Sequence, residues 1–317
     1  MLKKTFVLIA SVVLIATMFA GCGNIAGSNV RINEKDITPF NAVSIDTSST
    51  RIELVAADRF GVEIFVPKRF APEWDVTNGR LTIRDNTTNY VFSGITINND
   101  HYVKVYYPAG TTFADMTLAS SSGKIDLPQV NVADLSITSS SGSIKAGAEK
   151  FDNAIIESSS GDITFSGSGG YVKMTSQSGA VRSDTENCEE ISVTTSSGRA
   201  DLADIGNVAT VLSVSTQSGR IDAKGGVWRD VTARSSSGGT TISGELLGNT
   251  YVETASGSVI ISVNGSLSVY GYTLTPGSGS IHLNGESMNK PALSSGSYDN
   301  HITVTTSSGG IRLDFSS

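Results

Sequence analysis

Apolar and polar residues alternate along most of this chain with a period of two, and a Ser-Gly pair interrupts the alternation at regular intervals. The glycines of those pairs are Gly123, Gly142, Gly161, Gly179, Gly198, Gly219, Gly238, Gly257, Gly279 and Gly309, spaced 19, 19, 18, 19, 21, 19, 19, 22 and 30 residues apart. Five residues before each glycine the side chain is apolar, from Leu118 and Ile137 through Val193 and Val214 to Leu274 and Val304. Two residues after it come Ile125, Ile144, Ile163, Val181, Ala200, Ile221, Thr240, Val259, Ile281 and Ile311, apolar but for Thr240. A period of two sends successive side chains to opposite faces of an extended strand. Each unit therefore reads as two half-buried strands joined at a corner, and helical spacing fits none of them.

A unit of about 19 residues cannot bury its inward face alone, but stacked units can, because each backbone pairs with those above and below it. The expectation is an all-β solenoid of about ten rungs, with neighbouring strands about 4.8 Å apart. Hydroxyls keep the same register. Serine precedes every corner glycine directly, and Ser or Thr stands three before it in all units except that of Pro276. Strand parity points both positions inward if the strand runs straight to the corner. The glycine is then expected to supply unusual backbone dihedrals. Ten residues before the corner, Val132, Phe151, Gly169, Cys188, Trp228 and Leu247 form a mostly apolar column, which assigns Cys188 to the core.

The repeat also divides the chain. Residues 113–317 carry the regular array. Residues 40–112 show strand-like runs at 43–46, 51–55, 62–66, 81–84 and 103–107 with irregular spacing, and Thr47-Ser48-Ser49-Thr50 looks like a corner with Thr in place of Gly. This region is expected to start the stack and cap it, since terminal repeats are atypical.

Residues 1–21 read as an address. Lys3 and Lys4 precede an apolar run at 6–16, and the segment ends in Phe19-Ala20-Gly21-Cys22. That tetrad resembles the lipobox of bacterial lipoproteins, with Phe where Leu is usual. The resemblance implies cleavage before Cys22 and a diacylglyceryl group on its sulfur, leaving 22–39 as lipidated Cys and tether. The expected place is the extracytoplasmic face of a bacterial cell membrane, held by that anchor.

The strand ending Val105-Tyr106-Tyr107-Pro108-Ala109-Gly110, followed by serial units such as Ser121-Ser122-Gly123-Lys124-Ile125, resembles the bacterial putative-adhesin family of β-strand-repeat proteins, a domain of unknown function. The likeness covers roughly residues 40–317. It implies a single-stranded right-handed β-helix on the cell surface and carries over no catalytic motif. The missing glycine at Thr50 and the 30-residue last interval depart from the family pattern.

Composition narrows the reading further. With 47 Ser and 31 Thr a quarter of the chain bears a small hydroxyl, but only 7 Pro and a strict apolar alternation exclude a mucin-like tract. The net charge of −7 falls to −9 when Lys3 and Lys4 leave with residues 1–21, which excludes a general attraction to nucleic acid. Cys188 has no partner in the mature chain but Cys22, and no CxxC occurs.

Candidate chemistry is sparse. Three residues after each corner the outward column reads Asp126, Lys145, Thr164, Arg182, Asp201, Asp222, Thr241, Ile260, His282 and Arg312. Asp201 and Asp222 are rung neighbours at about the separation of a retaining glycosidase pair, but Arg182 flanks them and no aromatic platform adjoins them. GxSxG, HExxH, phosphate-loop and calcium-nonapeptide motifs are absent. His101, His282 and His301 are scattered, and Glu186, Glu189 and Glu190 make an acidic spot beside Cys188. No cofactor or metal is expected, nor enzymatic activity.

Two surfaces remain for a partner, an envelope protein or a glycan. One is the insertion 284–300, with Asn284, Glu286, Lys290 and Tyr298, because insertions in solenoids map to loops. The other is the aromatic group Trp74, Tyr90, Phe92, Tyr102, Tyr106 and Tyr107. The expected function is a non-catalytic, adhesin-like binding or scaffolding lipoprotein. The alternatives are an accessory lipoprotein in envelope-stress sensing and, behind it, a polysaccharide-acting enzyme.

Overall fold

The alternation folds as stacked strands. The computed structural model describes residues 28–85, 101–204 and 210–316. The expected leader, the expected lipidation site Cys22, and Tyr90 and Phe92 of the aromatic group lie outside the described residues. Ile144–Ser158 pairs in parallel with Ile125–Ser139 on one side and Ile163–Ser176 on the other. Ile144 thereby lies between Ile125 and Ile163, and Ile156 between Ile137 and Met174. The same register continues through Val193, Val214, Ala233 and Val252. These inward side chains are buried, each worth roughly 1.5–3 kcal/mol when a full Val, Leu or Ile is removed from water. The chain is all-β; its described helical pieces are two short 3-10 turns, Lys68–Phe70 and Leu267–Val269. Among the described residues no helix is long and apolar enough to cross a membrane.

The corners depart from expectation in two ways. Only the hydroxyl three before the glycine turns inward; the serine directly before it is exposed in every unit. The strand does not run straight to the corner. It bends after the inward hydroxyl and pushes two residues outward before glycine returns to the interior. The inward oxygen accepts a hydrogen bond from the glycine N–H, at 2.9 Å for Ser120 and Gly123, 2.9 Å for Thr216 and Gly219, and 2.8 Å for Thr306 and Gly309. The glycines themselves do not occupy left-handed backbone. Close approach is what requires them: a β-carbon on Gly142 would overlap the carbonyl of Gly123, and one on Gly198 that of Gly179.

The stacking order is the second correction. From Gly123 to Gly257 corners follow one another in chain order, and Gly123 rests on Thr50, the corner that lacks glycine. Gly309, however, rests on Gly257, and Gly279 rests on Gly309. The last rung in sequence, Asn300–Thr306 with Ile311–Ser316, is therefore threaded between Asn249–Thr254 with Val259–Asn264 on one side and Tyr270–Pro276 with Ile281–Leu283 on the other. The other end repeats the arrangement. Ala42–Thr47 lies between Arg80–Arg84 and Thr112–Ser120, and Arg51–Ala57 between Tyr102–Pro108 and the start of Ile125–Ser139. Both chain-terminal rungs are thus held from two sides.

Antiparallel strands cover what the outermost rungs leave open. Gly61–Pro67 pairs with Tyr102–Pro108, and Asn29–Lys35 pairs in turn with Gly61–Pro67. Glu73–Thr77 covers Arg80–Arg84. At the far end Glu286–Met288 folds back on Ile281–Leu283, and Ala292–Leu293 lies beside Tyr270–Pro276. An uncovered parallel edge would be a template for another chain.

Candidate functional site

Because the rungs are in register, charged residues at one repeat position form a file along the outside. Parallel pairing sets Arg182 beside Asp201 and Asp201 beside Asp222. Two further cations come from the position just after the corner, in Ser197-Gly198-Arg199 and Ser218-Gly219-Arg220. Lys224 completes the set. Of these, Arg182, Arg199, Asp201, Asp222 and Lys224 line a recess of about 470 Å³ together with the small Ala203.

The charges interlock. Arg182 reaches Asp162 at 3.5 Å and Asp201 at 3.9 Å. Arg199 contacts Asp201 closely through Nε and reaches Asp222 at 3.6 Å through Nη2. Asp222 also faces Arg220 at 3.6 Å and Lys224 at 3.4 Å, with only 7% of its side chain exposed. The four cationic side chains are each half-exposed or more, and most of these contacts are longer than a direct charge-assisted hydrogen bond. Both carboxylates of the pair singled out from sequence therefore sit inside a ladder of cations. Each of the two faces two or more cations. Sequence reasoning found Asp201, Asp222 and Arg182 but passed over Arg199, Arg220 and Lys224. The repeated Ser-Gly-Arg in consecutive units was the available sign of the first two.

The other predicted residues disperse. Cys188 is fully buried, as its column implied, and burial pushes its thiol up to about 12, with Asp204 adding to the shift. Glu186 joins Gln129, Glu149 and Asp184 around a second recess of about 310 Å³. Among the described residues no group of three His, Cys, Asp or Glu could hold a metal ion.

The insertion 284–300 is the fold-back cap of the outermost rung. Asn284 and Gly285, both in left-handed backbone, make the tight turn into Glu286–Met288, and Asn284 Oδ1 accepts from the Phe315 N–H at 2.8 Å. Glu286 is exposed; Lys290 donates to the Ser278 carbonyl at 3.3 Å and Tyr298 to that of Ser295 at 3.0 Å.

The aromatic group splits. Tyr107 is buried against Phe113, and Trp74 packs half-buried on the core. Tyr102 and Tyr106 lie on the outer face and donate to the two oxygens of Glu63 at 2.6 and 2.8 Å. Chiefly through the Tyr102 hydroxyl, Glu63 is held below the usual carboxylate range. Burial, then Glu63, pushes Tyr106 up to about 12.

Comparison with known proteins places this geometry. The Toastrack DUF4097 family matches residues 40–199 and again 170–314. No curated protein matches the chain. Among solved structures, a putative lipid binding protein from Parabacteroides distasonis is 15% identical, with 90% of this chain and 97% of that one covered and a TM-score of 0.47. A putative adhesin from Parabacteroides merdae is 13% identical over 93% and 98%, with a TM-score of 0.43. Another from Bacteroides fragilis is 12% identical over 91% and 97%, with a TM-score of 0.37. Likenesses at that level carry no argument about what this chain binds.

Proposed function

Since the chain belongs to the Toastrack DUF4097 family, a domain of unknown function, we propose that it is a non-catalytic binding or scaffolding lipoprotein, displayed on the outer face of a bacterial cell membrane as a single-stranded right-handed β-helix. Cys22 carries the anchor, and the rod presents its outward files to a protein or glycan of the envelope. The recess lined by Arg182, Arg199 and Lys224, with Arg220 paired to its Asp222, is the contact site. One observation carries this reading: cations on adjacent rungs, fixed by strand register and half exposed, flank a recess in which Asp201 and Asp222 are already paired. Such a surface offers many hydrogen-bond donors in rigid positions at little ordering cost.

Affinity capture from native membranes tests it, using the intact lipoprotein, an Arg182→Glu/Arg199→Glu variant and a Tyr298→Ala variant. The proposal expects a partner or envelope glycan that the double variant loses and Tyr298→Ala keeps. Turnover of a polysaccharide by the purified protein, abolished by Asp201→Asn, would overturn its non-catalytic half. A membrane kinase or transporter recovered equally by all three proteins would favour a sensing accessory instead.

A further inference from the structure

One end of the rod differs in surface chemistry from the rest. Asn29–Lys35, Gly61–Pro67 and Tyr102–Pro108 form an antiparallel sheet whose outer face sets Arg31 opposite Phe65, and Phe65 opposite Tyr102. The Arg31 guanidinium lies 5.4 Å from the centre of the Phe65 ring and is 61% exposed. Its one ion pair among the described residues is a long one, 3.8 Å to Glu63, whose two oxygens also accept from the hydroxyls of Tyr102 and Tyr106. Immediately beyond Gly61–Pro67 comes the turn Lys68–Phe70, with Lys68 and Arg69 exposed and Phe70 half-buried, where Arg69 lies 4.4 Å from the ring centre of Phe70.

The position of that turn along the chain matters most. The Lys68 N–H donates to the Ser28 carbonyl at 2.9 Å, so the basic turn sits where the chain leaves toward Cys22. Six residue steps separate Ser28 from Cys22, which even fully extended span about 20 Å. A lipid on Cys22 therefore keeps Lys68, Arg69 and Arg31 within reach of the headgroups. Cations paired with aromatic rings are what an anionic membrane surface accepts: the charge meets the headgroup phosphates, and rings such as that of Tyr102 settle at the interface. A mature chain of net charge −9, the full-length −7 less Lys3 and Lys4, would otherwise be repelled as a whole, so a basic base also orients it, with the acidic rod pointing away.

We propose that the face formed by Arg31, Phe65, Lys68, Arg69 and Phe70 is a docking surface for the anionic lipid bilayer itself, a second membrane contact beside the acyl anchor. It takes its geometry from the lipidated Cys22 read above, but its chemistry does not need that lipid. The test uses the full mature chain with Cys22→Ser, sedimented with vesicles of phosphatidylglycerol and phosphatidylcholine in equal parts, or of phosphatidylcholine alone. Binding to the mixed vesicles alone, suppressed by salt and weakened about tenfold or more by Lys68→Glu/Arg69→Glu, is the expected result. The pair Lys145→Glu/Lys150→Glu, an equal charge change on the strand Ile144–Ser158 outside this face, should leave binding intact. Lys68→Gln/Arg69→Gln provides a milder version, and an unchanged melting temperature shows that the fold survives. Equal binding to both vesicle types, no binding to either, or equal losses in the two Glu variants would overturn the proposal. Mass spectrometry of Cys22 in native membranes judges the anchor separately: an unmodified Cys22 with intact vesicle binding sinks the anchor and spares the surface.

Discussion

Gly198 rests so closely on the carbonyl oxygen of Gly179 that no β-carbon fits between them. The contact is repeated from corner to corner along the rod, so the glycine file is set by rung-to-rung packing. Among the described corners of the file, Thr50 is the one that carries a side chain.

Gly198→Ala should therefore destabilise the protein by about 3 kcal/mol or more, since backbone rather than a movable side chain must shift. Gly110 provides the contrast: it has left-handed backbone, with φ of 82°, but open space around its α-carbon. Gly110→Ala should cost only about 1–2 kcal/mol of local strain. Urea unfolding of both variants checks the ranking, and equal losses would contradict the packing account.

The inward hydroxyls satisfy the corner amides. Thr216 Oγ1 accepts from the Gly219 N–H at 2.9 Å in a buried setting. Thr216→Val keeps the shape and removes the acceptor, leaving a buried N–H unpaired at a cost of about 1–3 kcal/mol. Thr216→Ser should recover most of that loss, and faster exchange of the Gly219 amide in the valine variant would locate the effect.

Much of this was legible in the sequence, because burial repeats with the strand period. The inward positions of Ile144, Ile156 and Val193 and the outward file through Asp201 and Asp222 follow from alternation, and the buried Cys188 from its column in the repeat. The direction of Ser122 and its equivalents did not, because a bend that releases two residues outward breaks strand parity without changing composition. Stacking order was equally hidden: a 30-residue interval shows that something intervenes, but whether the last rung lies outside or inside its predecessor is decided by pairing between distant strands. The cation ladder was half visible. Asp201 and Asp222 share a file with Arg182, whereas Arg199 and Arg220 reach in from a neighbouring file.

Cys188 should resist thiol reagents in the native state and react on unfolding. Its thiol is raised to about 12 by burial, so the unfolded chain ionises first as pH rises. The stability this group contributes is complete below the ordinary thiol range and is lost between there and about pH 12, at up to about 1.4 kcal/mol per pH unit. Cys188→Ala should flatten that part of the alkaline decline relative to the parent. Identical slopes for the two proteins would contradict the burial account.

Glu63 works in the opposite sense. Its pKa is lowered, first by the hydrogen bond from Tyr102, so its contribution is present above the ordinary carboxylate range and is lost as pH falls through the lower folded value. Glu63→Gln should unfold less steeply with acid than the parent while losing stability at neutral pH. Tyr102→Phe should shift Glu63 back toward its ordinary value, which carboxyl NMR titration reads directly.

The swapped order of the last two rungs is the claim on which the architecture turns, and disulfide trapping tests it most directly. Ser256, Ser278 and Ser308 are exposed at equivalent corner positions, and the Ser308 N–H bonds to the Ala255 carbonyl while the Ser278 N–H bonds to that of Ser307. Adjacent rungs place α-carbons about 5 Å apart, within disulfide reach, whereas two rungs place them about 10 Å apart, beyond it. In a Cys22→Ser background, Ser256→Cys/Ser308→Cys and Ser278→Cys/Ser308→Cys should each oxidise readily, and Ser256→Cys/Ser278→Cys should stay reduced. Ready closure of the last pair with failure of the first would show the rungs stacked in simple chain order and contradict the account.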